Sequence, residues 1–403
     1  MRIALRQLEG RSPAYYGLLA VLLTMVGAGG LAAWAMEHHG HVITGMDNQI
    51  VWGLPHVFAV FLVVAASGAL NIASMSSVMG KTAYKPLAPL SGLLAFTLLA
   101  SGLAVLLLDL GRPERLIVAM THYNFKSIFA WNVILYSGFM GLVVIYLYTL
   151  MERTMNQFSG AAGMAAFLWR LALTTGTGSI FGFLIGRQAF GSALLGPMFI
   201  VYSLSYGLAV FLLVFLALSR YTHKPVQNAM FGRLVRLQAI FVACALYFVM
   251  IYHLTHLYFA KQAHLEEFLL VSGGVYPVLF WLGQVLIGGV IPLVLLLGAR
   301  FRTSPRFVLL AAVLVILGGL AQMYVTIIGS QAYPLELFPG FVVSSSFGDG
   351  VVSAYQPSAY EWLLGFGSFA LVGVMVLLAL KWLAFIPERF DSFPPDEGTA
   401  QAH

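Results

Sequence analysis

Residues 93–116 read LLAFTLLASGLAVLLLDLGRPERL. The first sixteen positions carry no charge, yet Asp109, Arg112, Glu114 and Arg115 follow within the next seven. Asp, Glu, Lys and Arg make up only 9% of the chain, so a cluster this dense marks the point where an apolar helix reaches water. Apolar runs of about 20 residues match the thickness of a bilayer core, and such runs recur on both sides of this one. They place spans at about 14–36, 51–75, 88–108, 128–150, 163–185, 196–218, 237–260, 276–298, 307–329 and 359–384. The expected fold class is an all-α polytopic membrane protein with ten transmembrane helices.

Composition supports this reading. Hydrophobic residues fill 60% of the 403 positions, which leaves too small a polar share to cover a water-soluble surface. Long unbroken apolar runs, without alternating polarity, exclude a β-barrel. The net charge of +6 comes from short loops and does not indicate a nucleic-acid partner; the lipid bilayer is the expected surroundings. A single cysteine, Cys244, excludes an internal disulfide framework and iron–sulfur or zinc sites built from this chain's own thiolates. No compact apolar core with a small-residue cleavage site precedes the first span, so no cleaved signal peptide is expected.

Ten spans send the loops alternately to two sides. One side collects 15 of the 21 Lys and Arg residues; the other has Arg112, Arg115, Lys126, Arg187 and Lys261. Basic residues in short loops stay on the cytoplasmic side, which predicts that both termini are cytoplasmic. The LDLGRPERL loop then faces outward against the charge rule, which argues for a task other than topology. Trp34, Trp52, Trp131, Trp281 and Trp362 fall near outer ends, as interfacial indoles do.

A polar side chain within a span is costly enough to count as a functional candidate. Asn48, Trp52 and His56 are spaced i, i+4, i+8, which on a continuous helix puts them on one face descending from the outer surface. Pro55 removes a backbone donor there and is expected to loosen the helix. His256 follows His253 by three residues near the outer end of the seventh span; a proton path and a pair of interfacial histidines are both compatible with them. Arg170 lies about eight residues from the cytoplasmic end of the fifth span, where snorkelling, packing and a proton path are all open. Asn132 stands at the outer end of the fourth span beside Trp131. Glu361 reads as a cap on the tenth span. The run LTTGTGSIFGFLIG offers a place for the fifth span to unwind, and Gly318–Gly319 a packing contact.

The outer half thus gathers His56, His253, His256, Asn132 and several aromatic residues. Histidine and asparagine close to water supply hydrogen-bond donors and proton exchange for a quinone headgroup, and clefts between spans suit its tail. A b-haem would need His56 paired with His253 or His256, and a transporter would draw on Arg170 and the glycines of the fifth span. The residues alone leave these three readings open.

LDLGRPERL followed by HYNFKSIFAWNV resembles the signature loop of the NrfD, or polysulfide-reductase membrane-subunit, family. VWGLPHVFAVFLVVAASGA and LGGLAQMYVTIIGSQ resemble its first core helix and a late glycine-rich span. The resemblance covers residues 48–331, with 1–36 as an added first span, 332–386 as an outer loop and tenth span, and 387–403 as a polar cytoplasmic tail. Within the family the layout is most like DsrP-type members, with hydrogenase-linked members the alternative. The resemblance implies two four-helix bundles and a quinone, ubiquinone or menaquinone, bound at the outer end of the first. Carried over onto this chain, His56 falls at the family's histidine beside the quinone; Trp52 would wall the headgroup, and Asn48 and Asn132 are further polar candidates for the quinone site. Asp109, Arg112, Glu114 and Arg115 then form a structural loop or dock a periplasmic ferredoxin-like iron–sulfur subunit. Other membrane and cytochrome subunits, a role in sulfur metabolism, and no haem or iron–sulfur cluster in this chain are implied too, so that activity needs the assembled complex. Two positions depart from the family pattern: Trp52 stands where a polar residue is expected, and Met323 where an arginine is.

Overall fold

The computed structural model describes residues 5–224, 229–335, 341 and 350–387. The polar tail after Pro387 and most of the long outer loop lie outside the described residues, as do Arg2 and Arg389 of the charge tally. Ten long helices are present among them: α1 (Pro13–His39), α2 (Leu54–Ser77), α3 (Thr82–Leu108), α4 (Ile128–Met151), α5 (Ser159–Gly182), α6 (Leu195–Tyr221), α7 (Ala229–Tyr258), α8 (Val275–Leu297), α9 (Pro305–Ala332) and α10 (Ala359–Trp382). All except α5 are long and apolar enough to cross a membrane. With 24 residues α5 matches α4 in length, but Arg170 and its glycines and threonines lower its hydropathy. Length and composition therefore support nine of the ten expected spans.

The helices close into two rings of four. In the first, α2 packs on α3, α3 on α4, α4 on α5 and α5 back on α2; in the second, α6 to α9 pair in the same order. Contacts of α2 with α6 and α9, and of α5 with α6, join the rings, while α1 lies against α10 and α10 against α2 and α3. Lipid-grade helices gain little from hydrophobic burial against one another, so close approach must supply the packing. Glycines provide it: a Cβ at Gly68 of α2 would overlap the Ser203 carbonyl of α6, and one at Gly318 of α9 would overlap Gly288 of α8. The packing expected of the late glycine pair is thus present. The α5 glycines also pack rather than unwind, with Gly178 against Leu195 and Gly196, and α5 stays helical to Gly182.

Local signals set the ends. Ser12 caps α1 by accepting from the Tyr15 amide. Ser358 and Glu361 form a reciprocal capping box on α10, the arrangement that satisfies two orphan donors at once. At the end of the molecule carrying the termini, β1 (Leu5–Arg6) pairs antiparallel with β2 (Ile386–Pro387). At the opposite end, the segments preceding α2 and joining α5 to α6 and α7 to α8 meet the end of α9.

Candidate functional site

The segment before α2 is built by Asp47. Its Oδ1 accepts from the amides of Gln49 at 2.8 Å and Ile50 at 2.6 Å, and its Oδ2 from the Ser353 hydroxyl at 2.8 Å. Burial raises the Asp47 carboxyl, but these donors and nearby Arg187 outweigh it and hold the group below its ordinary range. Gln331, at the end of α9, then clamps the turn. Its Oε1 accepts from the amides of Val51 and Trp52, each at 3.1 Å, and its Nε2 donates to the Trp52 carbonyl at 3.1 Å. Arg187 ties both partners together, reaching the Gln331 carbonyl at 3.0 Å and the Gln49 carbonyl at 2.7 Å.

This architecture corrects the one-face expectation. Because α2 starts only at Leu54, Asn48 and Trp52 precede the helix and share no helical face with His56. Pro55 sits in the first turn, where its missing N–H has no intrahelical partner to lose, and so starts the helix instead of loosening it. Asn48 is exposed to solvent. Trp52 is turned inward, with its ring 6.1 Å from that of His56 and edge-on to Phe181 at 5.8 Å.

His56 Nδ1 lies 2.8 Å from Asp109 Oδ2. The two stand at ion-pair distance without the alignment of a hydrogen bond. The Asp109 side chain is only 1% exposed, so the first charge of the signature loop points into the protein. Asp109 therefore meets His56, 53 positions earlier in the chain, and does not turn back on Arg112. Arg112, Glu114 and Arg115 face solvent.

Beside this pair opens a cavity of about 540 Å³ between α2, α3, α4 and α5. Trp52, His56, Asn132 and Tyr136 supply its polar edge; leucines of α3, together with Leu110, Leu116 and Met120 of the loop region, make its wall apolar. The Asn132 Nδ2 donates to the carbonyls of Ile128 at 2.9 Å and Gly176 at 3.0 Å, which leaves its buried Oδ1 without a partner. Asn132 thus lines the cavity with one acceptor still free. Tyr136 shares a 3.2 Å hydrogen bond with Thr177. The LDLGRPERL stretch accordingly contributes a carboxylate to a histidine and an apolar wall to a cavity.

The remaining candidates lie apart from this cavity. His253 Nδ1 is 2.6 Å from Glu266 Oε2 and His256 Nδ1 is 3.1 Å from Glu266 Oε1, with Glu266 fully buried. Burial raises the Glu266 carboxyl, yet the two imidazoles outweigh it and hold the group below its usual range. Arg170 is buried and does not snorkel; it donates to the Ser67 carbonyl at 3.3 Å and Asn71 Oδ1 at 3.2 Å, with Phe167 against its guanidinium. It braces α5 where α2 breaks at Leu70. Glu361 does cap α10, and also accepts from Tyr355 and, at 2.8 Å, from the Gly45 amide. Tyr355 in turn accepts from the Leu54 amide at 2.6 Å, the first residue of α2.

Sequence reading missed Gln331, Arg187, Gln49 and Glu266. Arg187 counted only as a loop charge, and Gln331 only as the end of a glycine-rich motif. Gln49 and Arg187 lie outside the spans and Gln331 at the last turn of one, so none of the three gives a periodic signal.

Two closed rings of four helices, with a histidine–carboxylate pair at one end of the first, define a polytopic helical membrane protein with a polar site near its surface. The chain belongs to the family described as Polysulphide reductase, NrfD, which it matches over residues 42–334. It is similar to the Hdr-like menaquinol oxidoreductase integral membrane subunit of Archaeoglobus fulgidus, with 27% identity over 96% of this chain and 98% of the relative. It also resembles the C subunit of polysulfide reductase from Wolinella succinogenes, at 24% over 71% and 96%. The menaquinone reductase integral membrane subunit of Nitratidesulfovibrio vulgaris is 21% identical over 92% of each sequence.

Proposed function

We propose that this chain is the quinone-interacting membrane subunit of a multi-subunit oxidoreductase, and that the quinone headgroup binds in the cavity beside His56. One observation carries the reading: a histidine held on a buried carboxylate forms part of the wall of an otherwise apolar cavity of about 540 Å³. A quinone needs those two environments together, a proton-exchanging group at its oxygens and an apolar cleft for its tail. Relatives that include a menaquinol oxidoreductase subunit and a menaquinone reductase subunit support the same chemistry.

Each side chain then has a task. Asp109 stands against His56 Nδ1, which leaves Nε2 to exchange a proton with the ligand. Trp52 walls the headgroup and is itself fixed by Gln331. Asn132 presents an acceptor, suited to a hydroxyl of the reduced ligand. Interconversion of quinone and quinol moves two electrons and two protons; the protons pass to or from water at this end of the molecule, the electrons to or from a partner. Asn48, exposed beyond the Trp52 turn, belongs to the rim. The exposed Arg112, Glu114 and Arg115 suit a docking partner, which we take to be a periplasmic ferredoxin-like iron–sulfur subunit. The termini would then be cytoplasmic in a bacterial inner membrane. A DsrP-type complex in sulfur metabolism, with further membrane and cytochrome subunits, fits the layout. His253, His256 and Arg170 remain candidates for proton transfer away from the headgroup.

The test is a titration of membranes containing the chain with a fluorescent quinol analogue, in wild type and in His56→Ala at matched protein level. Saturable quenching weakened by the substitution supports the site. Quenching that the substitution leaves unchanged moves the ligand elsewhere, and no saturable quenching defeats the reading for this chain.

A further inference from the structure

At the end carrying the termini, α7 and the turn between α8 and α9 enclose a cleft of about 570 Å³. Phe231 and Val235 form part of its wall, and Arg236, Arg302 and Thr303 line it as well. Both arginines are exposed, and no carboxylate stands at ion-pair distance from either among the described residues. Two cations from separate elements that share one cleft repel each other unless an anion lies between them. Their planar guanidinium groups match the oxygens of a phosphate, which they can grip in bidentate fashion, and the Thr303 hydroxyl adds a donor.

The setting says what kind of phosphate. Arg236 stands in the second turn of a membrane-crossing helix and Arg302 just beyond the end of another, so the cleft lies at the depth of lipid headgroups. Its inner wall is apolar, since Phe231 and Val235 are buried. Below it, Ile240 on α7 and Val294 and Leu297 on α8 are exposed on the outer faces of the bundle, where acyl chains can lie. A free phosphate ion would have no use for this apolar half. We propose that the cleft binds the phosphodiester headgroup of an anionic phospholipid, gripped by Arg236 and Arg302, with its acyl tails along α7 and α8. Basic clefts between helices at a membrane surface recognise such headgroups.

The purified protein in detergent is titrated with phosphatidylglycerol, with phosphatidylcholine and with inorganic phosphate, and bound lipid is counted by native mass spectrometry. Phosphatidylglycerol is expected to bind more than tenfold tighter than phosphatidylcholine, with affinity falling about fivefold for each arginine removed in R236A and R302A. Arg153→Ala, which removes an exposed arginine after α4 at the same end, is expected to leave binding unchanged. Equal affinity for the two lipids overturns the proposal. So does an equal loss in Arg153→Ala, which would mean diffuse surface charge, or displacement of the lipid by an equal concentration of phosphate, which would mean a free-anion site. Should R236A or R302A not fold, Arg302→Gln on the exposed turn carries the test, with the same fivefold loss expected.

Discussion

The two bundles each place histidine against a buried carboxylate at the end opposite the termini, and the pairs differ in what surrounds them. In the first bundle Asp109 meets one imidazole, and that imidazole forms part of a cavity wall. In the second, both oxygens of Glu266 are taken by His253 and His256, and all three residues are buried. The same side-chain chemistry is therefore open to a ligand in one place and closed on itself in the other. Residue type does not distinguish the two pairs; the cavity beside one imidazole does.

The comparison can be broken most forcefully at the closed pair. Glu266→Ala leaves two buried imidazoles without their acceptor, and should lower stability by about 2–4 kcal/mol, read as a lower unfolding midpoint, with quinol-analogue affinity unchanged. A loss of affinity without a loss of stability would make Glu266 part of the ligand site. Asp109→Ala should do the reverse: affinity falls about 10- to 100-fold, the worth of a charge-assisted contact, while the midpoint moves little. Gln331→Ala should come next, weakening the analogue about tenfold by releasing the backbone that holds Trp52, with faster amide exchange at Val51 and Trp52 as its signature. Asn132→Leu should have a smaller effect, lowering affinity for the reduced analogue a few-fold and leaving the oxidised one unaffected, because the free Oδ1 can only accept.

The smallest effect is in pH. Asp47 is held below its ordinary value of 3.8 by amide and hydroxyl donors, against the opposing effect of burial. Its folded pKa is depressed, so its contribution to stability is complete above that value and is lost as pH falls through the lower, folded value. Amide exchange at Gln49 and Ile50 should rise in acid before the helices loosen.

Much of this was legible in the chain, for physical reasons. Apolar runs of helical length announce membrane helices because the bilayer imposes that length. The α5 helix escaped the hydropathy criterion because its interior role calls for glycine and a buried arginine, both of which dilute the signal. His56 and Asn132 could be singled out by the cost of a polar group in a span. The pairing of His56 with Asp109 could not, since nothing local links positions 53 apart. Periodicity misled at Asn48 and Trp52, because it presumes a helix that Gly53 and Pro55 postpone to Leu54. Ser358 and Glu361, by contrast, form a cap within four residues, and local sequence determines such a cap almost completely.

One consequence concerns the order in which the molecule can be made. The first residue of α2 is held by Tyr355, and Tyr355 by Glu361 of the last helix. All the residues that line the His56 cavity are synthesised before that helix, yet the start of α2 gains this one anchor only after it arrives. A ribosome that stops short of α10 would release a polypeptide with every wall of the cavity present and one tether of α2 missing.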